Sequence, residues 1–483
     1  MPLPLQEPRP FSRSLLWELM ADRYESAGPE LWAEGLPHQA TANPWQARAI
    51  ADLVVALALD TGEPVTVLDA GSGPGRFAFY LLLELQDAWE RHDRSFDPPH
   101  VRLLDLAAAN VDFSLEHPAL APFVARGWLS GQAFNATAPA LDAPLPGPTV
   151  LVCNYLLDSL PVDVFNLVDG GPLERWVALS MADDGEPGSL DDLIFSYHDQ
   201  PLGSTELPPV WRDWLQELHA KGQRGSVHLP TGALPLLEWA RQASPRGLLT
   251  VITDKNWASP EHYVDDPLRP HAGTLSSMVD HPSLDRWVRA QGGAVWSSAH
   301  TDLQLISRAH AFHLPDTPRL KLAWELGLGR DSGLNAYSAQ LQELPPDART
   351  CLRLLRLSNF DPWAYRRMHS AVYDAIQDEL PAWVRQGWLD ALDQVWRREF
   401  LMEAEPDLAF AIGSIFMQLD APMRALQLFS VSQERFGLDG RLAYNAAACW
   451  VALGQRERAR AFAQQALELD PGLESARLLL AAL

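Results

Sequence analysis

The residues with the most chemistry to offer lie in four places, each at the carboxyl end of a short apolar run. The first is Val65-Thr-Val-Leu-Asp69-Ala-Gly71-Ser72-Gly73-Pro-Gly75-Arg76. An apolar run ends there in an acid, passes through three alternate glycines and enters a helix-like segment. Glycine permits tight turning and lets a backbone approach a ligand closely. The helix N-terminus beside it offers N–H groups with no helical partner. The second is VRLLDL, which supplies Asp105, 34 residues after Gly71, followed by Leu106. A carboxylate there can accept two O–H bonds from a ligand's hydroxyls, and such charge-assisted bonds are strong. The alternative role is to cap the next helix. The third run, SGQAF, ends at Asn135-Ala136. Asn offers an amide oxygen to an amino group, or simply forms a turn. The fourth, TVLVCNYLLDSLP, brings Asn154, Tyr155 and Asp158. Asp158 is the candidate for orienting a substrate, against the alternative of a helix cap or surface acid.

Four such ends must be aligned by a scaffold, and the rest of the sequence provides one. Short apolar runs alternate with helix-like stretches from Val65 onward, which argues for an α/β fold with a mostly parallel sheet. In such sheets ligands bind beyond the carboxyl ends of the strands. Before it, residues 1–45 form a Pro-rich and then helical lead (Ser14 to Tyr24), and Pro44 opens a good helix. VDVFNLV and WVALSM are β-rich, GLLTVITDK reads as another strand, and GGAVWSS with TDLQLISRA reads as a final hairpin. The α/β domain is therefore placed at 46–312. Beyond it the chain looks all-α: a connector with a degenerate repeat at 313–405, then repeats at 406–483. Ala391, Ala425 and Ala459 recur every 34 residues, as do Ala375, Ala409 and Ala443; Phe416 pairs in the same way with Trp450, and Gly413 with Ala447. The last unit, AYNAAACWVALGQRERARAFAQQALELDP, has small residues where paired helices would cross. This tail resembles the tetratricopeptide repeat; a generic helical hairpin is the alternative.

Two ligand classes use a glycine loop of this kind, dinucleotides and S-adenosylmethionine. The dinucleotide fingerprint is G-x-G-x-x-G/A, and Arg76 stands where its third small residue would be. The loop instead resembles the first motif of class I S-adenosylmethionine-dependent methyltransferases, (D/E)-x-G-x-G-x-G, a Rossmann-like fold. With the Asn154–Pro161 segment and DKNW (254–257), it resembles the MidA-like methyltransferases over about 65–310. That family includes the mitochondrial protein-arginine methyltransferase that assists respiratory complex I assembly. The resemblance implies S-adenosyl-L-methionine as cofactor, held by Asp69, Gly71, Ser72, Gly73, Gly75, Arg76, Asp105, Leu106, Asn135 and Ala136. It implies an acceptor side formed by Asn154, Tyr155 and Asp158. One departure stands out: the family's N-E-x-L-D-A-L-P has Tyr155 in place of its Glu. A guanidinium is best held by a planar carboxylate pair, so the replacement weakens arginine as the acceptor.

Composition excludes other classes. Acids outnumber bases 62 to 38, a formal charge of -24, which opposes a nucleic-acid groove. No apolar run approaches the ~20 residues of a membrane span, and the start has no signal pattern; the expectation is a cytoplasmic protein. Cys153, Cys351 and Cys449 are scattered, and His271 and His281 have no third ligand at metal spacing, so no metal is expected. Asp254-Lys255 reads as a substrate contact or a plain ion pair. The sequence therefore predicts a methyltransferase acting on a protein side chain, with the repeats docking a protein partner. A non-catalytic adaptor that keeps the donor fold, and an NAD-dependent oxidoreductase, are the competing readings.

Overall fold

A computed structural model describes residues 3–29, 38–140, 144–182, 190–203, 205–256, 268, 270, 273–299, 305–330, 347–377, 380–402 and 405–483. It divides into two compact units, Met1–Ser332 and Gly333–Leu483.

In the first unit, β1 (Leu3–Pro10) precedes α1 (Leu16–Ala27) and α2 (Pro44–Thr61). Asn43 caps α2 by accepting from the Gln46 N–H, with Pro44 in the first turn, where its missing N–H costs nothing. There follow β2 (Thr66–Ala70), α3 (Arg76–Arg91), β3 (His100–Asp105), α4 (Ala108–Glu116), α5 (Ala121–Ala125), β4 (Leu129–Ala133) and β5 (Thr149–Asn154). Then come β6 (Asp163–Val168), β7 (Gly171–Met181), β8 (Ile194–Pro201), α6 (Pro209–Ala220), β9 (Gly225–Leu229) and α7 (Leu234–Ala243). The unit closes with β10 (Leu248–Lys255), α8 (His281–Ala290), β11 (Ala294–Ser297), β12 (Leu305–Phe312) and α9 (Pro318–Leu326).

The main sheet has seven strands in the order β11-β12-β10-β5-β2-β3-β4. Its inner strands are parallel, with Asp69 opposite Leu103 and Val152. β12 returns antiparallel to β10, and β11 antiparallel to β12, which is the expected closing hairpin over its described part; residues 302–304 lie outside the described residues. β2 and β5 are buried nearly throughout, as the continuous apolar runs require of strands covered on both faces.

Two expectations change. The segments at 163–168 and 171–181 do not join the main sheet. They form a second, antiparallel sheet in the order β1-β7-β6-β9, with β8 on β7. The alternating burial of β7 and β8 fits a sheet with one wet face. The N-terminal lead, expected to be helical, begins with strand β1, which pairs with β7 from Leu3↔Met181 to Pro10↔Trp176. Buried Gln6 fixes it: its side-chain amide donates to the Val177 carbonyl at 2.9 Å, and its oxygen accepts the Leu15 N–H at 2.7 Å. Lead and second sheet share one apolar core, including Phe11, Leu16, Met20, Val164 and Val177.

The second unit is helical throughout its described residues: α10 (Ala348–Leu357), α11 (Pro362–Ala375), α12 (Ala382–Arg397), α13 (Leu408–Gln418), α14 (Pro422–Phe436), α15 (Gly440–Ala452), α16 (Arg456–Leu469) and α17 (Glu474–Ala482). Ala391, Ala425 and Ala459 occupy α12, α14 and α16 and are all buried. The other alanine series is less regular. Ala409 and Ala443 are buried near the starts of α13 and α15, but Ala375 is half-buried at the end of α11. The 34-residue spacing thus carries back through the second helices and not through the first. Asp407 and Asp439 cap α13 and α15 in the same way.

Close approach in the α13–α14 hairpin depends on Gly413, where an added Cβ would lie 2.6 Å from the Phe429 ring. Overpacking of this kind costs about 1–3 kcal/mol. Gly413→Val is expected to lose that much in a denaturant titration, and an unchanged midpoint would show that the ring moves aside freely.

Candidate functional site

A cleft opens at the carboxyl ends of β2, β3, β4 and β5, where sheet topology places ligands. Its wall includes Gly71, Asp105, Leu106, Asn135, Ala136 and Tyr155, all named from sequence. It also includes Asn110, Phe134, Thr137, Leu156, Ser159, Leu160 and Pro161, and from α1 Trp17, Met20, Ala21 and Tyr24.

The glycine loop leaves β2 with left-handed backbone at all three glycines: φ is +71° at Gly71, +53° at Gly73 and +83° at Gly75. Side chains rarely adopt such angles. At Gly75 space is lacking as well, since a Cβ would meet the Ser114 hydroxyl at 2.6 Å. The loop is stitched to the neighbouring strand. The Gly71 and Ser72 N–H groups donate to the Leu104 carbonyl at 2.7 and 3.3 Å, and the Gly73 N–H donates to Asp105 Oδ2 at 2.7 Å. Arg76 opens α3 and is buried, and it is not part of the cleft wall. The close approach here is that of Gly75 to Ser114 of α4.

Asp105 lies in the cleft wall and is also bonded to the entry of the next helix. Its Oδ1 accepts the Ala107 N–H at 3.0 Å and the Asn110 side-chain amide at 2.9 Å, at the entry to α4. Three donors on two oxygens leave room for one further hydrogen bond on the cleft side. Burial raises its pKa, opposed by the bonds from Asn110, Gly73 and Ala107. Asn135 takes the turn-forming role: its side-chain oxygen accepts both the Thr137 N–H and hydroxyl, at 2.9 and 2.7 Å. That oxygen is therefore spent locally.

On the other side of the cleft the chain leaves β5 through Asn154. Tyr155 follows at φ +49°, an uncommon angle for a bulky residue. The Tyr155 N–H donates to the Thr253 carbonyl at 3.0 Å. The next two N–H groups, of Leu157 and Asp158, converge on Asp254 Oδ2 at 2.8 and 3.2 Å. Burial, then the charges of Asp158 and Asp254, push the Tyr155 phenol up to about 12, so it keeps its proton at neutral pH.

Asp158 departs from expectation. It lies outside the cleft wall and is buried; the Ser159 hydroxyl donates to Oδ1 at 2.9 Å and Lys255 Nζ pairs with Oδ2 at 3.1 Å. A carboxylate desolvated this far needs such partners, and its burial behind the wall, not a lack of acceptor positions, keeps it from the cleft. The Asp254-Lys255 reading changes with it. Lys255 pairs with Asp158 and donates to the Ser276 hydroxyl, while Asp254 caps the turn. Burial and the Asp158 charge raise the Asp254 pKa well above the ordinary value. Trp257 and His271 lie outside the described residues. His281 is buried, its pKa lowered to about 3 chiefly by burial, and the described residues hold no cluster of His, Cys, Asp or Glu suited to a metal.

Several buried polar atoms near these strand ends have no partner: Asp69 Oδ2, Ser72 Oγ, Asn110 Oδ1 and both amide atoms of Asn154. Unpaired buried groups are costly, and a polar ligand carrying amino, carboxyl and hydroxyl groups is what such a set would satisfy. The cradle fits S-adenosylmethionine in kind. The α1 residues escaped sequence reading because the lead carries no motif, although Trp17, Ala21 and Tyr24 at spacings of four and three do mark a helix face.

Comparison with known proteins follows from this geometry. A model of the family described as "Putative S-adenosyl-L-methionine-dependent methyltransferase" matches residues 47–313, more than half of the chain. No curated protein matches in sequence. Among solved structures, a COG1565 superfamily member from Burkholderia thailandensis bound to S-adenosyl-homocysteine is 16% identical, with a TM-score of 0.45 over 66% of this chain and 91% of that one. A second COG1565 superfamily protein from the same organism is 18% identical, with a TM-score of 0.42 over 73% and 82%.

Asp69 provides a test of the electrostatics. Burial, with the Asp105 charge, pushes its carboxyl up to about 7 from the ordinary 3.8. An acid whose pKa is raised by folding holds its proton more tightly folded than unfolded. Its favourable contribution is complete below the ordinary value and is lost as pH rises to about 7. The ligand-free protein should therefore melt at lower temperature as pH rises from about 5 to 8, and Asp69→Asn should reduce that slope. Calorimetry across this range that gave identical slopes would contradict the assignment.

Proposed function

The chain belongs to this family of S-adenosyl-L-methionine-dependent methyltransferases, and from that premise we propose that it transfers a methyl group from S-adenosylmethionine to a side chain of a protein acceptor. The observation that carries the donor site is the loop of three left-handed glycines tied to Asp105. S-adenosylmethionine supplies an electrophilic methyl group on a sulfonium.

The residues around it divide the remaining work. The loop from Gly71 to Gly75 lets the backbone lie against the donor. The remaining acceptor position of Asp105 suits a ribose hydroxyl, and Leu106, Phe134 and Ala136 offer apolar surface to a base. Asp69 and Ser72, each with an unpartnered buried oxygen, suit the cationic amino end. Asn154 and Tyr155 stand at the acceptor side, where the amide can orient a nucleophile and the phenol can donate to it. In-line displacement draws most of its acceleration from such positioning.

A guanidinium acceptor would need an exposed carboxylate, and Asp158 is buried and paired with Lys255. The cleft favours a less demanding nitrogen nucleophile, such as a lysine or terminal amine arriving neutral, or a glutamine amide. The helical unit is assigned to docking of the protein that carries it. Its covalent link to the donor unit raises the local concentration of a docked acceptor.

Gly73→Val places a β-branched side chain at φ +53°. It is expected to abolish binding of S-adenosyl-homocysteine in calorimetry. In a lysate of the source organism with labelled donor, the unaltered enzyme should label a protein band that this variant does not. Label confined to small molecules or nucleic acid would refute the protein acceptor while leaving the donor site intact.

A further inference from the structure

One ammonium group joins three segments on the Tyr155 side of the cleft. Lys255 ends β10. Its N–H donates to Asp254 Oδ1 at 2.8 Å, and its carbonyl accepts the Val279 N–H at 3.0 Å, so its backbone is held from two directions. An ammonium has three N–H groups to place. This one pairs with Asp158 Oδ2 at 3.1 Å and donates to the Ser276 hydroxyl at 2.8 Å. It also lies over the Tyr155 ring, 5.7 Å from its centre, within reach of cation–π attraction. The partners are tied down as well: the Asp158 N–H donates to Asp254 Oδ2, and the Asp158 carbonyl accepts the Ser277 N–H at 2.8 Å.

Tyr155 stands in the cleft wall, while Asp158 and Lys255 do not. The Lys255 side chain is 29% exposed and that of Asp158 only 4%, so solvent meets the lysine and hardly the acid. A carboxylate beside an aromatic face is a combination that draws cations, through charge-assisted hydrogen bonds on one side and the ring quadrupole on the other. Here the chain supplies the cation itself. Burial raises the Asp158 carboxyl above its ordinary pKa, and the Lys255 charge is the first influence to oppose that.

We propose that Lys255 is a specificity-determining residue: it fills the cation position formed by Asp158, Ser276 and the Tyr155 ring, and so closes this side of the cleft to a cationic acceptor. The inference rests on reading Asn154 and Tyr155 as the acceptor side. A ring with an ammonium over one face attracts a second cation less, and the pair of Asp158 and Lys255 is neutral as a whole. A neutral amine or an amide loses nothing by this. The preference for an uncharged nitrogen is thereby assigned to one residue.

The test uses the full-length chain saturated with S-adenosyl-homocysteine, with ethylguanidinium as the cationic probe and ligand-observed NMR as the readout. Lys255→Ala opens the path to Asp158 and should bind the probe about tenfold more tightly than the unaltered chain, the scale of one hydrogen bond to a charged group. Lys255→Arg restores the charge and should exclude the probe again, which a role in packing alone would not require. Adding Asp158→Asn to Lys255→Ala should remove the gain, because the carboxylate is what the probe seeks. S-adenosyl-homocysteine should bind all these forms alike, which reports that they fold. Lys255→Gln, which keeps N–H groups for Asp158 and Ser276 but no charge, gives the same comparison should the alanine variant lose that binding. Intact S-adenosyl-homocysteine binding with no gain for the probe overturns this inference alone. So does a gain that survives Asp158→Asn. An unaltered chain that fails to bind S-adenosyl-homocysteine overturns the donor site and this inference with it.

Discussion

Two buried carboxylates, each at the end of an outer strand, hold the backbone that leaves the strand beside it. Asp105 at the end of β3 takes the Gly73 N–H of the loop after β2. Asp254 near the end of β10 takes the Leu157 and Asp158 N–H groups of the turn after β5. In the order β10-β5-β2-β3, the two inner strands supply the chain that forms the cleft and the two outer ones hold it. The arrangement offsets two costs. A loop rich in glycine loses much conformational freedom on ordering, and a buried carboxylate needs donors. Each provides what the other lacks, and both depend on strand order. Removing either acid would release a turn and leave its N–H groups unpaired.

The two sides differ in what the held backbone contributes. After β2 the left-handed residues are glycines, with no side chain between backbone and ligand. After β5 the left-handed residue is Tyr155, whose ring lies 5.7 Å from Lys255 Nζ. Strained angles at bulky residues persist only where their surroundings enforce them. Here the enforcement comes from the Thr253 carbonyl and the two bonds to Asp254. One side of the cleft is thus built from bare backbone and the other from an oriented side chain, as a site joining a donor to an acceptor would require.

Much of this was legible in the sequence because it is local. The strand–acid–glycine–helix run from Val65 to Arg76 states its conformation through residue type, and the apolar runs to Asp105 and Asn154 state buried strands. What sequence did not disclose depends on contacts across long separations. Asp158 and Lys255 are 97 positions apart, so the ionic partner of Asp158 could not be read from its neighbourhood in the chain, where only the Ser159 hydroxyl meets it. Asn135 could be read either way, since an amide oxygen that forms a turn and one that meets a ligand have the same neighbours. The strand β1 was missed for a related reason. LPLQEPRP has three prolines and no clean alternation, and only pairing with β7 at the sheet's edge, where proline is tolerated, makes it a strand.

The charge of the chain and the chemistry of the cleft act at different ranges. A formal charge of -24 attracts cations over the Debye length of about 8 Å at physiological salt and repels polyanions. That favours approach of a cationic donor and of basic protein segments. Inside the cleft the wall is mostly apolar and aromatic, from Trp17, Met20, Phe134, Tyr155 and Leu156. On the side of Asn154 and Tyr155 the nearest acids are buried: Asp254 holds the turn, and Asp158 is paired with Lys255 and Ser159. On the proposed reading, a permanently charged acceptor would meet no exposed carboxylate on that side and would shed its water with little compensation. An amine that can enter neutral, or an amide, avoids that cost. If the acceptor is a protein side chain, as proposed, attraction at a distance and selection at the cleft together favour one basic in its surroundings but uncharged at the reacting atom.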